Sequence, residues 1–390
     1  MIFAIPLAWM QLTHQKIRFA VALGGIVFII TLLFMQLGFQ DALYKSATQV
    51  HNNLKGDLFL ISSQYKALTS QQSFPRSRLY QALGFDGVDT VKFLYVQFAK
   101  FKNPETGQKY PIYVLGIDPA ESAFNLTGVE KNLDTIKVAN TVLFDSASRP
   151  EFGPIAKEFS KGKPMNVEIY SFNEQVGTKI KVGGLFALGP SFGVDGNLVV
   201  NYLTLLELFT DRKADKIDIG LLTLKPGADL QKVRANLTAN LPKDVEVITR
   251  EEFVALEKGY WANRTPIGFV FNLSVTMAFI IGTAIVYQIL YTNITNHLVE
   301  YATLKAMGFK NNYLLRVVFQ QAMILSLVGY IPGFIIALGL YKLAAKETQL
   351  PVEMNLPNGI IVLTSGVLMC ICSGAVAIGK LRAADPADIF

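Results

Sequence analysis

Four long runs of the chain, residues 19–40, 267–292, 314–341 and 359–380, are apolar along nearly their whole length and carry almost no charge. Each reaches the roughly 20 residues a helix needs to cross a hydrocarbon core, so each predicts a membrane span. The first is too long for the apolar part of a cleaved signal. About 18 residues precede it and no small-x-small cleavage pattern follows it, which points the same way.

Between the first and second runs the pattern changes to that of a water-facing domain, residues 41–266. Two β-rich stretches, Val91–Asn103 and Lys109–Asp118, are joined by Pro104-Glu105-Thr106-Gly107 and predict a hairpin. Further on, a strand and a Pro-Gly turn lead into a helix with Leu230, Val233 and Leu237 at helical spacing. A second strand-then-helix unit follows, in which Thr249 and Glu252 form the signature of a capping box. The middle, about 119–215, is richer in Gly and Pro and predicts a second subdomain inserted into the first. The fold expected is an α-helical membrane protein with four transmembrane helices and a large α+β extracytoplasmic domain between helices 1 and 2.

Composition agrees with this picture. The 390 residues are 51% hydrophobic and only 17% charged, with a mean hydropathy of +0.34. A soluble domain is usually less apolar and more charged. The net charge of +6 comes from scattered basic residues without a nucleic-acid motif, so nucleic acid is not an expected partner. Lys16 and Arg18 precede the first span, Lys305, Lys310 and Arg316 lie between the second and third, and Lys380 and Arg382 follow the fourth. By the positive-inside tendency these mark the cytoplasmic side. Both termini are then cytoplasmic: segment 1–18, the loop 293–313 and the tail 381–390. The segment 41–266 and the short connection 342–358 lie outside.

Candidate chemistry is sparse. Cys370 and Cys372 are two residues apart in an apolar run, where a helix points them in different directions, and His14, His51 and His297 share no metal-ligand spacing. The closest approach to a phosphate-binding loop, Gly184–Ser191, has Pro190 where the phosphate-contacting lysine belongs. No nucleophile elbow, zinc motif or dinucleotide fingerprint is present, and the spans hold almost no ionisable side chains for an ion relay. A non-enzymatic chain without a metal or cofactor of its own is expected.

The most informative stretch is His297–Phe309, HLVEYATLKAMGF, on the cytoplasmic side between two spans. Val299, Ala302, Thr303, Ala306 and Met307 fall at helical spacing and form a weakly apolar face. Gly308 can end the helix in a left-handed cap, after which Phe309 offers an aromatic anchor. Two readings stay open on physics alone: a rigid element that docks a partner, or an amphipathic helix resting on lipid headgroups.

This stretch resembles the cytoplasmic loop of FtsX-domain permeases of ABC systems, the group that includes MacB and the lipoprotein-releasing permeases. Glu300, Leu304, Lys305, Ala306, Met307 and Gly308 stand at the places matching that pattern, with Phe309 following. The elbow-like segment ahead of the first span, the Pro386-containing C-terminal end, and the order of one span, outer domain and three spans also resemble this family. The likeness is closest to DevC-type permeases, the cyanobacterial group of heterocyst glycolipid exporters. The resemblance implies a homodimer in the bacterial inner membrane, a coupling helix docking on a separate ABC ATPase that carries the ATP and Mg, a membrane-fusion adaptor and, through it, a TolC-like outer-membrane channel. The implied cargo is a glycolipid or other amphiphile. The same resemblance leaves room for a lipoprotein-releasing permease or an FtsX-type activator of a cell-wall hydrolase. Gly329 and Gly333 form a GxxxG spacing, and Ala375 and Gly379 a small-xxx-small row, expected at helix or dimer contacts.

Overall fold

A computed structural model describes residues 4–70, 72–172, 176–309 and 311–383. Lys310 and the tail 384–390 lie outside the described residues, as do the surroundings of Gly379 and the side chains of Lys380 and Arg382. The chain begins with helices α1 (Ala4–His14), α2 (Lys16–Ala47) and α3 (Gln49–Asn52), followed by strands β1 (Leu58–Ser62) and β2 (Phe74–Pro75). Next come α4 (Ser77–Leu83), β3 (Val88–Lys102), β4 (Lys109–Ile117), α5 (Thr127–Lys131), β5 (Thr141–Asp145) and α6 (Ile155–Ser160). Strands β6 (Met165–Tyr170), β7 (Thr178–Phe186) and β8 (Asn197–Asn201) precede α7 (Tyr202–Leu208), β9 (Lys216–Ile217) and β10 (Ile219–Leu224). The chain then forms α8 (Leu230–Asn240), β11 (Val245–Thr249), α9 (Arg250–Asn263), α10 (Pro266–Asn296), α11 (Leu298–Ala306), α12 (Asn311–Thr348) and α13 (Leu356–Ala383).

These elements divide into two units. One contains residues 1–42, 266–347 and 352–390, the other residues 43–265 and 348–351. In the first, Lys16–Ala47, Pro266–Asn296, Arg316–Thr348 and Leu356–Ala377 are long and apolar enough to cross a membrane. Their outward side chains, such as Phe28, Phe269, Ile281, Ile331 and Ile360, are exposed apolar groups, the surface expected of a helix in lipid. Inside the unit, Gly329 and Gly333 let α12 approach α2. A Cβ at either would lie 2.6 or 2.7 Å from the Cγ2 of Ile26 or Ile30. The GxxxG spacing therefore serves contact between two helices of the same chain. Ala375 is on an exposed stretch of α13.

The second unit is built on a nine-stranded sheet in the order β11-β1-β10-β3-β4-β8-β5-β7-β6. Its first four strands, with α4 after β1 and α8 after β10, make a βαββαβ unit of antiparallel order 4-1-3-2, a ferredoxin-like arrangement. An additional pairing of β6 with the end of β3 closes the other five strands, together with β3, into a six-stranded ring. The two parts share the 15-residue strand β3, which pairs with β10 up to Leu94 and with β4 from Tyr95. The segment 119–215 thus supplies β5 to β8, but its strands complete a ring with β3 and β4 instead of standing apart.

Strand β1 shows why this sheet is buried on both faces. Leu58 and Leu60 join one core with Leu79 and Val233, while Phe59 and Ile61 join a second core with Val50 and Phe253, as the period of two requires. Local signals fix the edges. Asn103 Oδ1 accepts from the amides of Glu105 and Thr106 in the β3–β4 turn. Thr249 and Glu252 close the expected capping box at the start of α9.

In the second core a polar cluster is enclosed. Glu257, 1% exposed, accepts hydrogen bonds from Trp261 Nε1 (2.9 Å), Leu68 N (2.9 Å) and Tyr65 Oη (3.0 Å). His51, fully buried, has Nε2 3.1 Å from Tyr65 Oη and 3.5 Å from the Glu257 carboxylate. Burial pushes Glu257 up to about 7 and His51 down to about 3. Unfolded, the two groups titrate near 4.5 and 6.5.

Between pH 4.5 and 6.5 the native pair therefore holds one proton, on Glu257, and the unfolded pair also holds one, on His51. Their effects on stability cancel there; the pair's contribution falls as the pH drops below 4.5, where His51 must stay neutral, and by a smaller amount as the pH rises from 6.5 to about 7, where Glu257 still holds its proton. We expect Glu257→Gln to remove the compensation. Stability of this unit, followed by Trp261 fluorescence in urea, should then rise from pH 4.5 to 6.5 by about 3 kcal/mol more than that of the parent. Parallel profiles would contradict the burial argument.

Candidate functional site

Helix α11 lies between α10 and α12 and is short enough to be shaped entirely by its ends. At its C-terminus Gly308 has φ +89°, a conformation that costs glycine little. Gly308 N donates to Lys305 O (2.9 Å) and Phe309 N to Leu304 O (3.1 Å). This pair of bonds is the Schellman pattern and satisfies carbonyls that the helix end would leave open. Phe309 packs on Tyr313 of α12, with ring centroids 4.9 Å apart.

At the other end, α11 is tied to the rest of the membrane unit through Gln11 of α1. Gln11 Nε2 donates to Glu300 Oε2 (3.0 Å), and Gln11 Oε1 accepts from Tyr301 Oη (3.2 Å) and from Gln321 Nε2 of α12 (2.7 Å). Gln321 Oε1 in turn accepts from Asn293 Nδ2 of α10 (2.8 Å). His297 Nδ1 lies 2.9 Å from the other Glu300 oxygen. Four helices thus meet in one hydrogen-bonded chain whose central members, Gln11, Tyr301 and Gln321, are buried. Unmade bonds in such surroundings are costly, so a complete network fixes the helices in one arrangement. Burial pushes the Tyr301 hydroxyl up from its ordinary value. For Glu300, burial alone would raise the carboxyl, but the bonds from His297 and Gln11 outweigh it and hold the group lower. Ala8 of α1 packs on Val317 of α12 in the same region.

The side chains marked out by the sequence separate into two sets. Glu300 belongs to the network, and Leu304 and Lys305 are half-buried. Ala306, Met307, Gly308 and Phe309 are exposed. Ala302, expected on the outward face, is turned into the unit beside Tyr301. The outward face is then Val299, Thr303, Ala306 and Met307, with Val299 and Met307 59% and 63% exposed. The Thr303 hydroxyl is satisfied by Val299 O (2.8 Å). A rigid helix therefore shows an apolar stripe with Glu300 and Lys305 beside it.

Gln11, Tyr301, Gln321 and Asn293 were not marked out by charge or motif. Their signal is the amide side chain: polar residues in otherwise apolar helices must find partners, and three of the four partners here are amides of neighbouring helices.

Residues 272–386 match the family described as FtsX-like permease C-terminal, which covers the region from the second span onward and includes α11. No curated protein matches the chain. Similar solved structures include the periplasmic region of MacB from Actinobacillus actinomycetemcomitans, 12% identical over 53% of this chain and 95% of that one, with a TM-score of 0.36. Another is the extracellular domain of the noncanonic ABC-type transporter YknZ from Gram-positive bacteria, 14% identical over 50% of this chain and 99% of that one, with a TM-score of 0.32.

The network makes Gln11→Leu a sharp probe. It leaves Tyr301 and Gln321 each short of a partner where water is excluded, and takes one bond from the exposed Glu300. Thermal unfolding in detergent should show a loss of about 1–3 kcal/mol, whereas Thr13→Ala, at a half-buried hydroxyl bonded only to Trp9 O of its own helix, should change little. Equal stability of the two variants would mean the bonds are dispensable.

Proposed function

We infer that the chain is the non-catalytic permease subunit of an ABC-type system, and that α11 is the element through which a separate ATPase acts on it. The single observation that carries this reading is the structure of α11: a capped, rigid helix, fastened inward by Gln11 and Tyr301 and apolar outward, within a region matched to FtsX-like permeases. A helix that only rested on lipid would need the outward stripe but not the inward fastening. Hydrolysis of ATP, with its Mg, takes place on the partner.

Closure of the ATPase pair displaces α11, and the buried network makes α1, α10 and α12 move with it. Motion passes on along the backbone, since α2 runs unbroken from Lys16 to Ala47. The outer unit then acts on partners outside the membrane. A homodimer in a bacterial inner membrane, with cytoplasmic termini, a membrane-fusion adaptor and a TolC-like channel, fits this mode of action. The cargo proposed is an amphiphile such as a glycolipid, in keeping with the resemblance of the α11 stretch to DevC-type permeases.

Purification of the tagged protein from its native membrane in mild detergent, with mass spectrometry of what remains bound, tests the reading. An ATPase together with an adaptor is the expected result. A bound lipoprotein or cell-wall hydrolase in place of the adaptor would overturn the exporter assignment, and no ATPase at all would overturn the coupling role. In addition, Lys305→Glu and Gly308→Pro should leave the protein in the membrane but lower transport at least about tenfold per ATP hydrolysed. Proline cannot adopt the positive φ of the cap. Unchanged transport by both variants would contradict coupling through α11.

A further inference from the structure

Within the membrane unit, α1, the start of α2 and the end of α10 enclose a groove of about 500 Å³, a volume in the range of small-molecule sites. Its two halves differ in chemistry. Val21, Ala22 and Gly25 of α2 face Ile285 and Ile289 of α10 in the deeper half. Toward the end where α1 lies, the lining becomes Gln15, Arg18, Gln288 and Asn296, and none of the residues lining the groove is acidic.

These polar groups have no use inside the protein. Among the described residues, Arg18 has no carboxylate partner and the side-chain amides of Gln15, Gln288 and Asn296 make no hydrogen bond. Gln288 is also exposed within the apolar run of a helix that crosses the membrane, where an unpaired amide is costly, and Asn296 is exposed at the end of that helix. A ligand that fits must bring an anion for Arg18, acceptors for the amides, and a long apolar tail for the deeper half.

We propose that this groove binds one anionic phospholipid of the leaflet beside α1, with its phosphate at Arg18 and Asn296, an ester carbonyl at Gln288, and an acyl chain between α2 and α10. Basic pockets between spans recognise such headgroups by this combination of charge and apolar wall. The lipid would fill the space between the two spans that the α1 network leaves open, and would hold that end of α2 against α10. The site is separate from the outward face of α11, so it stands or falls independently of ATPase docking.

The test is native mass spectrometry of the full chain released from vesicles of equal phosphatidylglycerol and phosphatidylcholine. The parent should retain one phosphatidylglycerol per chain in preference to phosphatidylcholine. Arg18→Gln should lower that preference about tenfold or more. Gly25→Leu, which places a side chain where a Cβ already stands 3.4 Å from Ile285, should abolish retention of either lipid. Retention indifferent to headgroup and unchanged in Arg18→Gln would overturn the proposal. So would efficient crosslinking of two chains through Val21→Cys, since a second copy would then occupy the groove.

Discussion

The arrangement of the membrane unit depends on one buried amide. Gln11 bonds at once to α11 through Glu300 and Tyr301 and to α12 through Gln321, which in turn holds Asn293 of α10. In lipid the hydrophobic effect does not drive helices together, so packing of small residues and hydrogen bonds between helices must do so. Gly329 and Gly333 supply the first between α12 and α2, and the Gln11 network supplies the second. Without it α11 would be a helix joined to its neighbours only at its ends, free to shift without consequence for the spans.

The outer unit is held by different physics. Its sheet buries apolar side chains on both faces, and strand β3 belongs to both the ferredoxin-like part and the ring. A strand shared over 15 residues makes the two parts move as one. The enclosed His51–Tyr65–Glu257 cluster adds a pair of groups whose opposite burial penalties offset one another over a range of pH. The contribution of this pair to stability is thus insensitive to mild acid.

Much of this was legible in the sequence. The spans declared themselves by length and lack of charge, and the capping box at Thr249, the turn at Gly107 and the left-handed cap at Gly308 are local signals that depend on only a few residues. The ring was not legible, because the pairing of Lys100–Lys102 with Glu168–Tyr170 joins segments far apart in the chain and alternation within a strand does not name its partner. The direction of Ala302 was misread for a related reason. On a short helix with small residues all round, the buried side is chosen by Tyr301 finding Gln11, a contact across 290 positions. The groove beside α1 escaped notice because Arg18 and Gln288 become neighbours only when α2 and α10 are packed together.

On the function proposed above, the outward face of α11 docks a protein and does not face lipid. The most direct measurement places the photocrosslinker p-benzoylphenylalanine at Met307 in the native membrane and identifies what it captures. The expected result is a crosslink to a separate ATP-binding protein, lost when the crosslinker is moved to the buried position of Ala302. Capture of lipid alone at Met307 would contradict it.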